Sequence, residues 1–141
     1  MRIKRKIYST LIDNCPAAPP EVGGVLGGNN GIITNCAMDF PANANRNNRY
    51  APDTEKLNSI LTEWAGKGIT FYGMFHTHFP LGYSLSKEDE EYIRRIMYAM
   101  PAYVEYLFFP VVVPGYGMAS FKAVRESMAI RIKTDSITII F

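Results

Sequence analysis

The stretch ITFYGMFHTHFPLGYSLSKED, residues 69–89, decides how this chain of 141 residues is interpreted. It begins with an apolar run over residues 69–75, which is typical of a buried β-strand. After a short loop, Ser86 is a suitable N-terminal cap for a helix that runs to about Met100. The stretch therefore predicts a strand, a loop and a helix, with polar side chains at both ends of the loop.

The two histidines of the chain lie at the end of this predicted strand. His76 and His78 flank Thr77, and residues two apart in extended backbone point to the same side. Both imidazoles can therefore reach one point in space. Zinc is the usual metal for histidine combined with a carboxylate, so the pair predicts a metal site. Two unrelated surface histidines are the alternative.

A carboxylate three residues after Ser86 extends this pattern. Asp89 precedes Ile93 by four residues and Ile96 by seven, so on a helix it shares the face of these apolar residues. A carboxylate turned inward is costly unless it is paired or binds a metal, and Asp89 is therefore the candidate third ligand. Ser-x-x-Asp is also the pattern of a helix capping box, which explains Ser86 without any chemistry.

Composition and charge exclude several classes of protein. Apolar residues make up 48% of the chain and charged residues 20%, with 15 basic against 13 acidic side chains. This balance argues against disorder and against a dedicated nucleic-acid-binding protein. No apolar run approaches the ~20 residues of a membrane helix, and no signal-peptide core follows the basic start at Arg2. We expect one cytoplasmic domain over residues 1–141, with Cys15 and Cys36 as free thiols.

The remaining segments predict an α/β fold. The spacing of apolar residues predicts helices over residues 3–12 and from Pro52 to Gly66 or Gly68. The turn sequence at residues 28–31 predicts a hairpin. Strands are predicted over residues 22–28, 32–38, 69–75, 104–113, 118–124, 128–133 and 136–141. Three helices among about seven strands indicate a mixed β-sheet flanked by helices.

The spacing His-x-His, seven residues, Ser, two residues, Asp resembles the signature of the JAMM (MPN-plus) zinc metalloprotease family. That family also has a glutamate before a glycine-rich apolar strand, and PEVGGVLGG at residues 20–28 resembles this segment. The resemblance covers about residues 1–125. It implies the three-layer, mixed α/β fold of the family, which is similar to that of cytidine deaminases. The chain departs from the common family pattern at Gly23, Pro80 and Leu85, and none of these differences removes a ligand.

The resemblance also implies a role for each of five residues. His76, His78 and Asp89 would hold Zn²⁺ and leave a fourth position for water. Glu21 would take the proton of that water and return it to the leaving amine. Ser86 would donate a hydrogen bond to the oxyanion of the tetrahedral intermediate. A solvated charge at the start of a strand is the alternative interpretation of Glu21.

The function that this resemblance implies is zinc-dependent hydrolysis of an amide bond. The substrate would be the C-terminal tail, ending in Gly-Gly, of a ubiquitin-like or sulfur-carrier protein, and the chain would be a stand-alone, prokaryotic-type member of the family. The alternative is a non-catalytic MPN-type protein-binding module, against which the intact set of five residues argues. A zinc nucleoside deaminase shares the fold, but its His-x-Glu and Pro-Cys-x-x-Cys patterns are absent.

Two further questions stay open at the level of sequence. Residues 39–51, rich in asparagine, lie where family members have a substrate-gripping insertion, yet they are equally compatible with an ordinary polar loop. The oligomeric state is not indicated by any pattern in the chain.

Overall fold

The computed structural model describes residues 1–40, 49–79 and 82–141. In chain order the elements are β1 (Arg2–Lys4), α1 (Arg5–Asn14), β2 (Gly23–Asn29), β3 (Ile32–Asp39), α2 (Thr54–Gly66), β4 (Thr70–Thr77), α3 (Lys87–Ala99), β5 (Tyr106–Phe108), β6 (Val111–Val113), β7 (Gly117–Glu126), β8 (Ala129–Asp135) and β9 (Thr138–Ile140). Most of the loop predicted over residues 39–51, and Pro80 after the histidine pair, lie outside the described residues.

Within the described part of the chain, all nine strands form a single mixed sheet. Their order is β5-β7-β6-β4-β2-β3-β1-β9, with β8 paired to β7. The predicted hairpin is present, since β2 is antiparallel to β3, and β2 is also antiparallel to β4 on its other side. Strand β4 runs parallel to β5 and β6. The prediction of a mixed sheet flanked by helices is confirmed.

The helices cover both faces of this sheet. Neighbouring residues of a strand point to opposite faces, and they accordingly belong to two separate hydrophobic clusters. One cluster includes Leu11 of α1, and the other includes Trp64 of α2 and Met97 of α3. Helix α1 therefore packs on one face, and α2 and α3 both pack on the other, which gives three layers.

The start of the chain differs from the expectation of a helix over residues 3–12. Arg2–Lys4 form strand β1, and the helix begins only at Arg5. Ile3 is fully buried and lies opposite Ile33 of β3 and Ile139 of β9 in parallel pairs. Because these partners are distant in sequence, the local spacing of apolar residues carried no sign of the strand.

The strand predicted over residues 104–113 is divided in two. Phe109 and Pro110 separate β5 from β6, and proline has no N–H to donate to a ladder. The break lets β6 continue beside the end of β4, where His76 N donates to Pro110 O and His78 N donates to Val112 O. Buried backbone on β6 thus fixes the segment that carries both histidines.

The composition predicts free thiols and no membrane-spanning helix. Cys15 and Cys36 are free thiols, as predicted. Burial, and after it the charge of Cys36, raises the pKa of the Cys15 thiol to about 11, which keeps this thiol protonated. Among residues 1–40, 49–79 and 82–141, no helix has the length and apolarity required to cross a membrane.

Candidate metal centre

The two histidines lie where β4 ends, on the face of the sheet that α3 covers. Thr77 between them points the opposite way and is fully buried. Val22 N donates to Thr77 Oγ1 at 2.9 Å, and Thr77 N donates to Val22 O at 2.9 Å. These two bonds tie the residue after Glu21 to the residue between the histidines, so the start of β2 and the end of β4 form one rigid edge.

Three atoms of the kinds that bind metals meet beside this edge. The Nε2 atoms of His76 and His78 are 2.9 Å apart. Asp89 Oδ2 lies 3.1 Å from His78 Nε2, and Asp89 Oδ1 lies 3.4 Å from His76 Nε2. All three residues offer a ligand atom within 4.8 Å of the others.

The donor set fits a metal ion. A neutral imidazole has one N–H and one lone pair. Where two Nε2 atoms and a carboxylate face one another, the lone pairs outnumber the protons that these groups could share. A cation at the centre would satisfy all three groups at once. His76, His78 and Asp89 could therefore hold a metal ion, and two histidines with one carboxylate are a donor set that zinc commonly takes.

Asp89 both caps helix α3 and belongs to the group formed by His76, His78 and Asp89, called the metal-binding cluster. Ser86 Oγ accepts a hydrogen bond from Asp89 N at 3.0 Å, and Asp89 Oδ2 accepts one from Ser86 N at 2.9 Å. This is a complete capping box at the start of α3. The two explanations that the sequence left open are thus compatible, because the cap fixes the orientation in which the carboxylate faces the histidines.

The electrostatics of the cluster favour a cation. Burial on its own would raise the pKa of Asp89, but hydrogen bonds from His76 and His78 outweigh burial and hold this pKa well below its usual range. Burial would lower the pKa of His78, yet the hydrogen bond and charge of Asp89, followed by the charge of Glu21, raise it instead. The His78 imidazole thus lies in a negative field.

Glu21 faces the same site from the irregular segment before β2. It is half-buried, and its Oε1 accepts a hydrogen bond from Tyr50 N at 3.3 Å. Glu21 lines one cavity together with His76 and Asp89, and a second, more open one together with His78 and Ser86. The structure therefore brings all five residues singled out in the sequence to one region.

Ser86 lies at the edge of this region. Its Oγ accepts the capping bond from Asp89 N, which leaves its own proton for a second partner. It lines the more open cavity with Glu21 and His78. The capping role of Ser86 is thus observed, and its proposed role as an oxyanion donor remains a prediction.

Comparison with solved structures identifies the fold. The chain matches the crystal structure of a JAB1/MPN domain protein from Archaeoglobus fulgidus over 100% of both chains, with a TM-score of 0.60 and 14% sequence identity. The chain has the JAB1/MPN fold. Solution structures of a protein from Desulfitobacterium hafniense (TM-score 0.64, 17% identity) and of one from Salinibacter ruber (TM-score 0.60, 13% identity) each match 99% of this chain and 92% of their own. No protein-family model and no curated protein matches the chain.

In this JAB1/MPN fold, two residues support the site that sequence reasoning did not single out. Asp39, at the end of β3, is 1% exposed, and its Oδ2 accepts hydrogen bonds from Tyr50 OH at 2.8 Å and from Asp53 N at 2.9 Å. Tyr50 N in turn holds Glu21. The sequence shows Asp39 as an acidic residue at the end of an apolar strand. Its partners Tyr50 and Asp53 lie more than ten residues later, so nothing in the sequence indicated these contacts.

Tyr50 also explains Gly23, one of the departures from the JAMM pattern. A Cβ atom at Gly23 would lie 2.4 Å from Tyr50 Cε2 and 2.6 Å from the carbonyl oxygen of Phe75. No side chain fits between these groups. The tyrosine ring therefore lies directly against the backbone of β2 and fills the space that a side chain at this position would need.

Removing the hydroxyl of Tyr50 tests this support. Tyr50→Phe is expected to lower the free energy of unfolding by ~1–3 kcal/mol, because it takes a hydrogen bond from the buried carboxylate of Asp39. Among the described residues, Oδ1 of the same carboxylate already has no hydrogen-bond partner. Urea denaturation measures the effect. Tyr98→Phe, at a tyrosine 60% exposed on α3, is the matched control and should change stability by less than ~0.5 kcal/mol; an equal loss in both variants would contradict the role of Tyr50.

Proposed function

We propose that the chain is a zinc-dependent peptidase or isopeptidase that cuts after the C-terminal Gly-Gly tail of a ubiquitin-like or sulfur-carrier protein. The observation that carries the proposal is the convergence of His76, His78 and Asp89 at one point, with Glu21 on the wall of the same cavity. A domain that only binds proteins has no need for such a set, and half-buried ionisable groups are costly to keep without a use.

Two histidines and one carboxylate support a catalytic rather than a structural zinc site. Three protein ligands leave a fourth position open, whereas structural zinc sites are closed by four. When bound, Zn²⁺ supplies a Lewis acid that lowers the pKa of a water molecule to ~7. His76, His78 and Asp89 would be its ligands.

Glu21 is the residue suited to move the proton. The bond from Tyr50 N fixes Oε1, so the orientation of the carboxylate is set. Its second oxygen, Oε2, can take a proton from the attacking water and return it to the nitrogen of the leaving amine. Glu21 then acts first as general base and afterwards as general acid. Because it gives the proton away again, it is ionised at the end of each cycle.

Ser86 is suited to stabilise the charge that develops on the substrate oxygen. Its oxygen is fixed by the bond from Asp89 N. Its proton interacts with the exposed carboxylate of Glu88, and it would have to turn from there to donate toward the site. Loss of one donor to an oxyanion typically costs ~10²–10³ in kcat.

Two substitutions at Ser86 separate helix capping from catalysis. Ser86→Ala is expected to lose ~1 kcal/mol of stability and ~10²-fold or more in kcat. Ser86→Asp should keep most of the stability, because aspartate also caps helices, yet lose activity, because a carboxylate repels the oxyanion. Melting temperature, zinc content and cleavage rate are measured for each. Activity that simply follows stability across both variants would mean that Ser86 is a helix cap only.

The proposed activity is tested with fusion proteins. A ubiquitin-like or sulfur-carrier protein is joined through its Gly-Gly tail to a second protein and incubated with the zinc-loaded chain. Mass spectrometry should find a cut directly after the second glycine, and chelation should abolish it. An intact fusion that binds the chain would instead favour the protein-binding module.

A further inference from the structure

A cavity of about 310 Å³ lies beside the metal-binding cluster. Glu21, His76 and Asp89 form part of its wall, so any group inside it lies next to the reacting atoms. Helix α2 packs over β2 and β4, whereas α3 packs over β7 and β8. Residues of β4, of α3 and of the segment just before α2 line the cavity, which thus lies between α3, the end of β4 and the segment that leads into α2.

The inner lining of this cavity is apolar. Met74, Ile93 and Phe109 are 8%, 2% and 3% exposed and belong to the hydrophobic core on this face of the sheet. The ring of Tyr92 is half-buried beside them, with its hydroxyl 4.0 Å from Met74 Sδ. Charged residues are found at its mouth, among them Arg95, which is exposed.

The size and chemistry of the cavity select its occupant. Its volume lies at the lower end of the ~300–1,000 Å³ found for ligand pockets. Charged residues such as Glu91 and Arg95 also line the cavity. A charged side chain that reached its apolar end would nevertheless lose its water against Met74, Ile93 and Phe109 and find no partner among these three. An apolar side chain gains from the same contacts.

We propose that this cavity is a specificity pocket that takes a bulky apolar side chain of the substrate, such as leucine or phenylalanine, next to the reacting amide. The inference rests on the proposed function. Because glycine has no side chain, a Gly-Gly tail on the acyl side leaves the pocket to the residue that follows the tail. The bond cut is then a peptide bond, and the leaving group is the backbone nitrogen of that apolar residue. The substrate would therefore need both a Gly-Gly tail before the cut bond and an apolar residue after it.

Binding of two hydroxamates to the zinc-loaded chain tests the pocket without any need for turnover. Acetohydroxamate and phenylacetohydroxamate share a zinc-chelating head group and differ only in the side group beside it. We expect the benzyl compound to bind ~10- to 100-fold more tightly in calorimetric titration, the effect of burying one large apolar group. Equal affinity on a zinc-loaded chain would overturn the pocket and leave the proposed function standing. A chain that takes up no zinc and binds neither compound would overturn both.

A pair of variants on α3 locates the effect. Ile93 lines the cavity, whereas Ile96 packs in the same hydrophobic cluster but does not line it. Ile93→Phe should fill the cavity and erase the preference for the benzyl compound, and Ile96→Phe should preserve it. Circular dichroism checks that both variants fold. If Ile93→Phe does not fold, the two hydroxamates on the wild-type chain still decide the outcome, and a preference that survives in a folded Ile93→Phe variant contradicts the pocket.

Discussion

Replacing Glu21 by glutamine is expected to lower the turnover number by ~10²–10⁴, the usual contribution of a positioned general base. Glutamine has nearly the same shape and can still accept the hydrogen bond from Tyr50 N, so the fold and the zinc content should stay at wild-type values. The loss should therefore fall on kcat rather than on KM. Cleavage of a Gly-Gly-linked fusion under saturating substrate, together with metal analysis, measures both quantities.

The matched control is Glu105→Gln, at an exposed carboxylate just before β5 that lines neither cavity beside the metal-binding cluster. It removes one negative charge away from the site, and it should leave kcat within a factor of about two, because exposed charges are screened by solvent. A Glu21→Gln enzyme as fast as this control would show that Glu21 is a solvated charge at the start of a strand.

Replacing either histidine by alanine has the second large effect. His76→Ala and His78→Ala each remove one of the three ligand atoms, so zinc content should fall from one per chain to nearly none, and cleavage should fall to the uncatalysed background. A ligand that binds only the folded chain adds ~4 kcal/mol of stability at a thousandfold excess over its Kd. Zinc should therefore raise the melting temperature of the wild-type chain and not that of either variant.

Asp89→Asn divides the two roles of the third ligand. Asparagine can accept the hydrogen bond from Ser86 N and so keeps the cap, but it has no charge to offer a cation. The metal-free variant should melt close to the wild type and bind zinc much more weakly. A lower melting temperature with unchanged zinc affinity would mean that Asp89 is a capping residue and not a ligand.

The features that could be predicted from the sequence are those set by local spacing. Extended backbone at the end of β4 turns His76 and His78 to one side, and the start of α3 brings Asp89 to the same face, so a few neighbouring residues determine most of the cluster. The capping box and the metal-binding cluster looked like competing explanations of Asp89. They are compatible because its Oδ2 reaches Ser86 N while its Oδ1 turns to His76.

The features that could not be predicted depend on contacts between distant parts of the chain. Strand β1 forms because Ile3 pairs with Ile33 and Ile139 of two parallel neighbouring strands. A strand of three residues is too short to show an alternating pattern of its own. The support of Glu21 by Tyr50 and Asp39 requires the loop after β3 to return to the start of β2. The cavity likewise forms where α3, β4 and the segment before α2 meet, and no local pattern encodes that meeting.

Zinc binding itself is tested by calorimetric titration of zinc into the metal-free wild-type chain. We expect a single site that saturates at one zinc ion per chain and that is absent from a variant in which His76 and His78 are both alanine. No uptake by the wild-type chain, or equal uptake by the double variant, would contradict this expectation.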